Sequence, residues 1–201
     1  LQQANRPTYT LTLIALFAAL MAIGSNITSW FPFFKVGEVP ITLQTFIAIL
    51  SGALLGKKKG SAAILLYLAI GFCGLPVFSQ FRSGPSIVVD PTFGFLLSFP
   101  IAAWVTGYWC EKHAPKMKHY VTGALLGCAI NYFVGTNLMY LSLITIAEAP
   151  PQFSYWMAWL WMLPPLPKDI ILSIVAASIA LRVYKAIPHL LPKSTSIGNS
   201  P

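Results

Sequence analysis

Six stretches of near-continuous apolar sequence dominate the chain. They run from about Leu11 to Phe31, Ile41 to Leu55, Ser61 to Phe78, Pro91 to Trp109, Tyr120 to Ala147 and Pro167 to Tyr184. Several reach or approach the roughly 18 residues that mark a membrane-spanning helix. The second is short and is expected to begin in the preceding turn or to tilt little. Breakers or charges bound each one: Pro32 and Pro40, Lys57–Lys59, Pro85 and Pro91, Pro115, Pro150 and Pro151. Composition agrees, with 56% hydrophobic and 9% charged residues, against about 25% charged in a soluble domain. A soluble enzyme, a disordered chain and a disulfide scaffold are thereby excluded. Continuous rather than alternating apolar runs also speak against an outer-membrane barrel. The expected fold is an all-α membrane protein, a six-transmembrane-helix bundle over residues 10–186. A short segment, 1–9, precedes it and a tail, 187–201, follows it.

Charge gives the orientation. Six spans put both termini on one side. That side holds ten of the thirteen cations (Arg6, Lys57, Lys58, Lys59, Lys112, Lys116, Lys118, Arg182, Lys185 and Lys193) with Glu111 the single acid, a net charge of +9. The other side carries Lys35, Arg82 and Lys168 with Glu38, Asp90, Glu148 and Asp169, a net of −1. By the positive-inside rule the basic side, with both termini, is cytoplasmic. The overall +8 is therefore a mark of topology and of contact with membrane lipids, and no nucleic-acid partner is expected. The first span is read as retained. Ala22-Ile23-Gly24 has the small residues of a cleavage site, but the apolar stretch is long for a signal peptide and only Arg6 precedes it.

Few chemical motifs survive inspection. Gly52–Lys58 is not a phosphate-binding loop, since Ser51 stands at the leading glycine position and Lys58 where Ser or Thr should hold magnesium. It reads as a helix end capped by Gly56, with the lysines favouring that helix C-terminus. Cys73, Cys110 and Cys128 form no CxxC pair and read as small core hydrophobes. His113, His119 and His189 lack partners at ligand spacing, so no metal site and no cofactor is expected. No catalytic motif marks an enzyme.

The charges away from the cytoplasm are more informative. Arg82, Asp90, Lys168 and Asp169 lie in or beside apolar, proline-rich sequence, where an ionised group is costly unless paired or used. Gln44, Asn131 and Asn137 are polar residues near or inside spans; they either line a cavity or hydrogen-bond helix to helix. The aromatic run Trp30–Phe34 and the cluster Phe153, Tyr155, Trp156, Trp159 and Trp161 read as an interfacial belt or as a lid over a ligand. Phe153–Leu163 can form a short interfacial helix. Small residues four apart, Ala15 with Ala19 and Ala18 with Ala22, allow close helix approach, inside the bundle or to a partner.

Four strings point further. Val39-Pro-Ile-Thr-Leu-Gln-Thr45 precedes the second span, and Leu66-Tyr-Leu-Ala-Ile-Gly-Phe-Cys-Gly-Leu-Pro-Val-Phe78 closes the third. Pro91-Thr-Phe-Gly-Phe-Leu-Leu97 opens the fourth, and Leu163-Pro-Pro-Leu-Pro-Lys-Asp169 opens the sixth. In this order they resemble the BioY family, the biotin-binding S components of energy-coupling factor (ECF) transporters, over residues from about 10 to 186. The resemblance implies a six-helix bundle that binds biotin from outside. It implies partnership with a transmembrane coupling protein and two ATPase subunits, which would hydrolyse ATP in its place. It places Arg82 at the family's loop arginine, and Pro167 and Asp169 in its sixth-helix motif. Lys168 stands there in place of a glycine, Leu172 in place of a lysine, Asp90 in place of the glycine before Pro-Thr, and Phe93 in place of the first glycine after it. It also implies that the alanines of the first span meet the coupling protein.

Biotin offers a carboxylate tail, an apolar ring and a ureido head. The expected site is therefore Arg82 for the carboxylate and Asp169 for a ureido N–H, with Lys168, Gln44, Asp90 and Asn131 as further polar contacts. The two ends of the ligand are exchangeable in this assignment. Trp30, Tyr155, Trp156 and Trp159 form the expected lid. Ala15, Ala18, Ala19 and Ala22 form the expected docking face. A different small vitamin, or a membrane-embedded enzyme, are the rival readings.

Overall fold

A computed structural model describes residues 7–30, 35–36, 39–40, 42–90, 92–146, 149–150 and 152–187. Among these the fold is helical: α1 (Pro7–Trp30), α2 (Gln44–Phe72), α3 (Phe93–Lys112), α4 (Met117–Thr145), the short α5 (Tyr155–Leu160) and α6 (Leu166–Ala186). A two-residue ladder pairs β1 (Lys35–Val36) antiparallel with β2 (Val39–Pro40). Among the described residues Pro7–Ile27, α3 and α4 are each long and apolar enough to cross a membrane. The apolar runs thus become helices, because a backbone in hydrocarbon must satisfy its hydrogen bonds within its own segment.

The second and third runs form the two limbs of α2, joined at Gly56 without a separate lysine loop. Gly56 breaks α2, with φ 80° and ψ 174°. On either side the chain folds back on itself. The Ser51 hydroxyl donates to the Gly60 carbonyl at 3.4 Å, and the Gln44 amide donates to the Tyr67 hydroxyl at 3.2 Å. A Cβ on Gly60 would lie 2.7 Å from the Ser51 carbonyl oxygen and 2.8 Å from the Gly52 Cα. Limbs 44–55 and 57–72 are therefore an antiparallel hairpin with a one-residue turn. Lys57–Lys59 open the second limb instead of closing the first. That is the unfavourable end of the helix dipole for a cation. Glu111 compensates, accepting from the Lys57 backbone N–H at 2.9 Å and pairing with its ammonium at 3.7 Å. Lys57 and Lys112 both lie over the Tyr108 ring, at 5.0 and 5.9 Å.

The core runs between the hairpin and its neighbours. Phe17, Ala18 and Met21 of α1 meet Ile47, Ile49, Leu55, Ile64 and Tyr67 of α2, while α4 and α6 add Cys128, Tyr132, Met139, Ala176 and Ala180. Cys110 and Cys128 are buried and unbridged, as small hydrophobes should be; Cys73 is exposed. The outward face is studded with exposed Leu, Ile, Phe and Trp, including Leu16, Ile23, Phe133 and Ile171, the surface of a bundle that faces lipid rather than water.

Gly56 occupies a backbone region open essentially to glycine alone, and an added Cβ would collide with the Glu111 carboxylate. Gly56→Ala is expected to destabilise the protein by about 1–3 kcal/mol. Thermal melting in detergent reads this as a lower midpoint; an unchanged midpoint contradicts the one-residue turn.

Candidate functional site

The end of the bundle opposite Lys57–Lys59 holds Arg82, Asp90, Lys168 and Asp169. After α2, Gly74 turns the chain at φ 103°. The following segment runs through two short 3-10 turns, Ser79–Phe81 and Pro85–Val89, before α3. Phe78 anchors it, fully buried against Gly71 and edge-on to Tyr67 at 5.5 Å. Arg82 leaves this segment and forms an ion pair with Asp90. Asp90 is itself fixed by Thr92, whose backbone N–H donates to its Oδ1 at 2.8 Å and whose hydroxyl donates to the same oxygen. The Arg82 Nε is buried and has no hydrogen-bond partner.

These residues edge a hollow lined by Gln44, Phe78, Ser79, Arg82, Ile87, Thr92, Phe95, Leu96 and Phe99. Its enclosed volume is about 40 Å³, below the roughly 300–1,000 Å³ of small-molecule sites, so it is a narrow cleft. Three phenylalanines and two aliphatic side chains make its walls apolar, and Gln44 and Arg82 supply polar atoms.

A second charged group lies where α6 begins. Asp169 is 5% exposed. Its Oδ1 pairs with the Lys168 ammonium at 2.8 Å. Its Oδ2 accepts from the Tyr132 hydroxyl at 2.7 Å and from Thr45 Oγ1 at 3.5 Å. Lys168 also donates to the Thr42 carbonyl at 2.9 Å, tying the start of α6 to the start of α2. A carboxylate in the first turn of a helix sits well in the dipole field. Neighbouring residues link the two groups: Gln44 lines the hollow beside Thr45, and Phe95 of the hollow meets Tyr132 edge-on at 6.4 Å. Each cation nevertheless has its own carboxylate, and no ion pair joins Arg82 to Asp169.

The other expected residues divide. Gln44 lines the hollow. Asn131 is buried and accepts from the Ser98 hydroxyl at 2.6 Å, so it joins α4 to α3 and does not line the hollow. Asn137 accepts from the Tyr155 hydroxyl at 3.2 Å, docking α5 on α4. Tyr155, Trp156 and Trp159 do not line the hollow, and Trp156 is 70% exposed, the posture of an interfacial belt. The Trp30 side chain lies outside the described residues, as do Phe31, Phe33 and Phe34. The alanine pairs face different ways: Ala15 and Ala19 are exposed, Ala18 is in the core and Ala22 packs beside it.

The model of the BioY family matches residues 2–189. The chain belongs to the BioY family. A putative biotin transporter of Bacillus subtilis (strain 168) is 37% identical over 178 residues, covering 88% of each chain. The biotin transporter BioY of Thermotoga maritima is 34% identical over 170 residues, covering 85% of this chain and 92% of its own. That of Rhodobacter capsulatus is 37% identical over 188 residues, covering 90% and 95%. The crystal structure of the S-component for biotin from an ECF-type ABC transporter superposes with a TM-score of 0.76 at 22% identity, over 92% of this chain and 95% of that one. This BioY-family chain therefore shares the S-component fold.

Several residues of the site carry no sequence signal of their own. Tyr132 and Thr45 reach Asp169 from two other helices. Thr92 holds Asp90, and Tyr67 holds Gln44. Their types are common in membrane helices, and only the packing brings them to a carboxylate or an amide. Removing the Tyr132 hydroxyl would leave Asp169 Oδ2 with the long contact to Thr45. Tyr132→Phe is expected to destabilise the protein by about 1–3 kcal/mol, the cost of an unmet buried acceptor. Thermal melting measures it, and a neutral effect would show that Asp169 does not depend on this bond.

Proposed function

We propose that this chain is the high-affinity substrate-binding subunit of a biotin uptake system. It would be a six-span protein of the cell membrane over residues 10–186, with both termini cytoplasmic. It captures biotin from outside and delivers it together with a transmembrane coupling protein and two ATPase subunits that hydrolyse ATP. The chain itself catalyses no reaction and needs no cofactor. The single observation that carries this reading is an apolar, phenylalanine-walled hollow lined by Arg82 and Gln44, with the buried Asp169 outside its lining and joined to Thr45 next to Gln44, in a member of the BioY family.

The chemistry of the ligand fits that arrangement. The phenylalanine walls suit the ring. The guanidinium of Arg82 retains donors beyond those used on Asp90, including the unpartnered Nε, and a planar fork suits a carboxylate. Asp169 can accept a ureido N–H, and Lys168 or the Gln44 amide can donate to the ureido oxygen. Each of the two cations is compensated by a neighbouring carboxylate.

Arg82→Ala and Asp169→Ala are each expected to weaken biotin binding at least about tenfold, or roughly 1.4 kcal/mol. Titration of the purified variants reads this, and unchanged affinity in both would remove them from the site. Mass spectrometry of the small molecule that co-purifies separates biotin from another vitamin. Ala19, exposed on α1, supports a docking role distinct from binding. Ala19→Leu is expected to leave biotin affinity within about twofold and to lower uptake by cells at least about tenfold, because a bulky side chain holds a partner helix away. Normal uptake would exclude this face from docking.

A further inference from the structure

Near the C-terminal end of α1, Ser25 and Asn26 are buried polar residues, 0% and 2% exposed, that no part of the ligand chemistry above employs. Both address one stretch of backbone. Ser25 Oγ donates to the Val77 carbonyl at 2.5 Å, and Asn26 Nδ2 donates to the same oxygen at 3.1 Å. Asn26 Oδ1 accepts from the Phe81 backbone N–H at 2.7 Å. The side chain of Asn26 thus bridges the entry and the exit of the segment 77–81.

That segment needs holding. Gln80 and Phe81 have φ values of 62° and 55°, a left-handed conformation that L residues with side chains disfavour. The Phe78 N–H donates to the Arg82 carbonyl at 3.0 Å, closing the loop. Arg82 therefore follows directly on the residue whose N–H Asn26 receives. The backbone from which its side chain departs is held by Asn26 from another helix.

We propose that Asn26, with Ser25, is a positioning residue that aims the Arg82 guanidinium into the hollow. It acts through the backbone of 77–81 without touching the ligand. This rests on the reading of Arg82 as the carboxylate-binding group. The consequence is specific: loosening the clamp degrades recognition of the ligand's charge and spares recognition of its ring and head.

The test uses the purified protein in detergent, titrated with biotin and with biotin methyl ester, which keeps the ring and head but lacks the negative charge. Asn26→Ala is expected to weaken biotin at least about tenfold and the ester by less than about twofold. Added to Arg82→Ala, it is expected to change biotin affinity by less than about twofold further, because two residues acting through one contact are not additive. Equal loss for acid and ester, or full additivity with Arg82→Ala, overturns the proposal. If Arg82→Ala weakens biotin and Asn26→Ala does not, the clamp fails and the carboxylate reading stands. If Arg82→Ala leaves biotin unaffected, both fall. Should Asn26→Ala not assemble, Ser25→Ala serves in its place, with an expected loss of about threefold for biotin and none for the ester. No loss for either ligand in that variant also overturns the proposal.

Discussion

Ionised groups sheltered from water must find opposite charge or hydrogen-bond partners close by, and this constraint organises the end of the bundle that holds the hollow. Arg82, at the edge of the phenylalanine walls, is met by Asp90, and Thr92 in turn fixes Asp90. Asp169 draws Lys168, Tyr132 and Thr45 from three helices. Leaving the buried Asp169 uncompensated would cost about 3–5 kcal/mol, whereas the partly exposed Arg82–Asp90 pair is screened by solvent and contributes less. The partners of Asp169 and Lys168 therefore hold α2, α4 and α6 together.

The scaffold beneath depends on close backbone approach. Glycine at 56 and 60 lets the two limbs of α2 fold against each other, and Gly52 and Gly107 let α3 lie directly against the first limb and the start of the second. Because the hairpin turn is a single residue, limb 57–72 is registered tightly on limb 44–55. That register places Tyr67 at Gln44. It also delivers the loop that follows Phe72 to the same end of the bundle as the start of α6, where Lys168 reaches Thr42. The site is thus a product of helix register rather than of local sequence.

The apolar runs foretold the helices closely, because hydrocarbon permits few other structures to a continuous apolar segment. Two boundaries of the third run were misplaced: its helix ends at Phe72 rather than Phe78, and it begins at Lys57–Lys59, which resembled a loop because lysines usually close helices. Glu111, remote in sequence, reverses that expectation by receiving the Lys57 N–H and pairing with its ammonium. The charged residues stood out, since charge is rare in such sequence. Their partners did not: Tyr132, Thr45, Thr92, Ser25 and Asn26 are ordinary residues whose meaning comes from what they face. Asn131 shows the converse, a polar residue conspicuous in the sequence that the fold spends on a bond between α3 and α4.

Sequence by itself determined that the chain is a bundle of apolar helices, which end gathers the lysines, and which few charges demand an explanation. Patterns of hydrophobicity and charge are read one residue at a time, and solvent imposes them locally. Only the tertiary structure decided that Arg82 answers to Asp90 while Lys168 answers to Asp169, that Ala18 turns inward and Ala19 outward, and that α1 grips the loop bearing Arg82. Those pairings join residues far apart in the chain, and helix register and packing, which no single segment encodes, fix them.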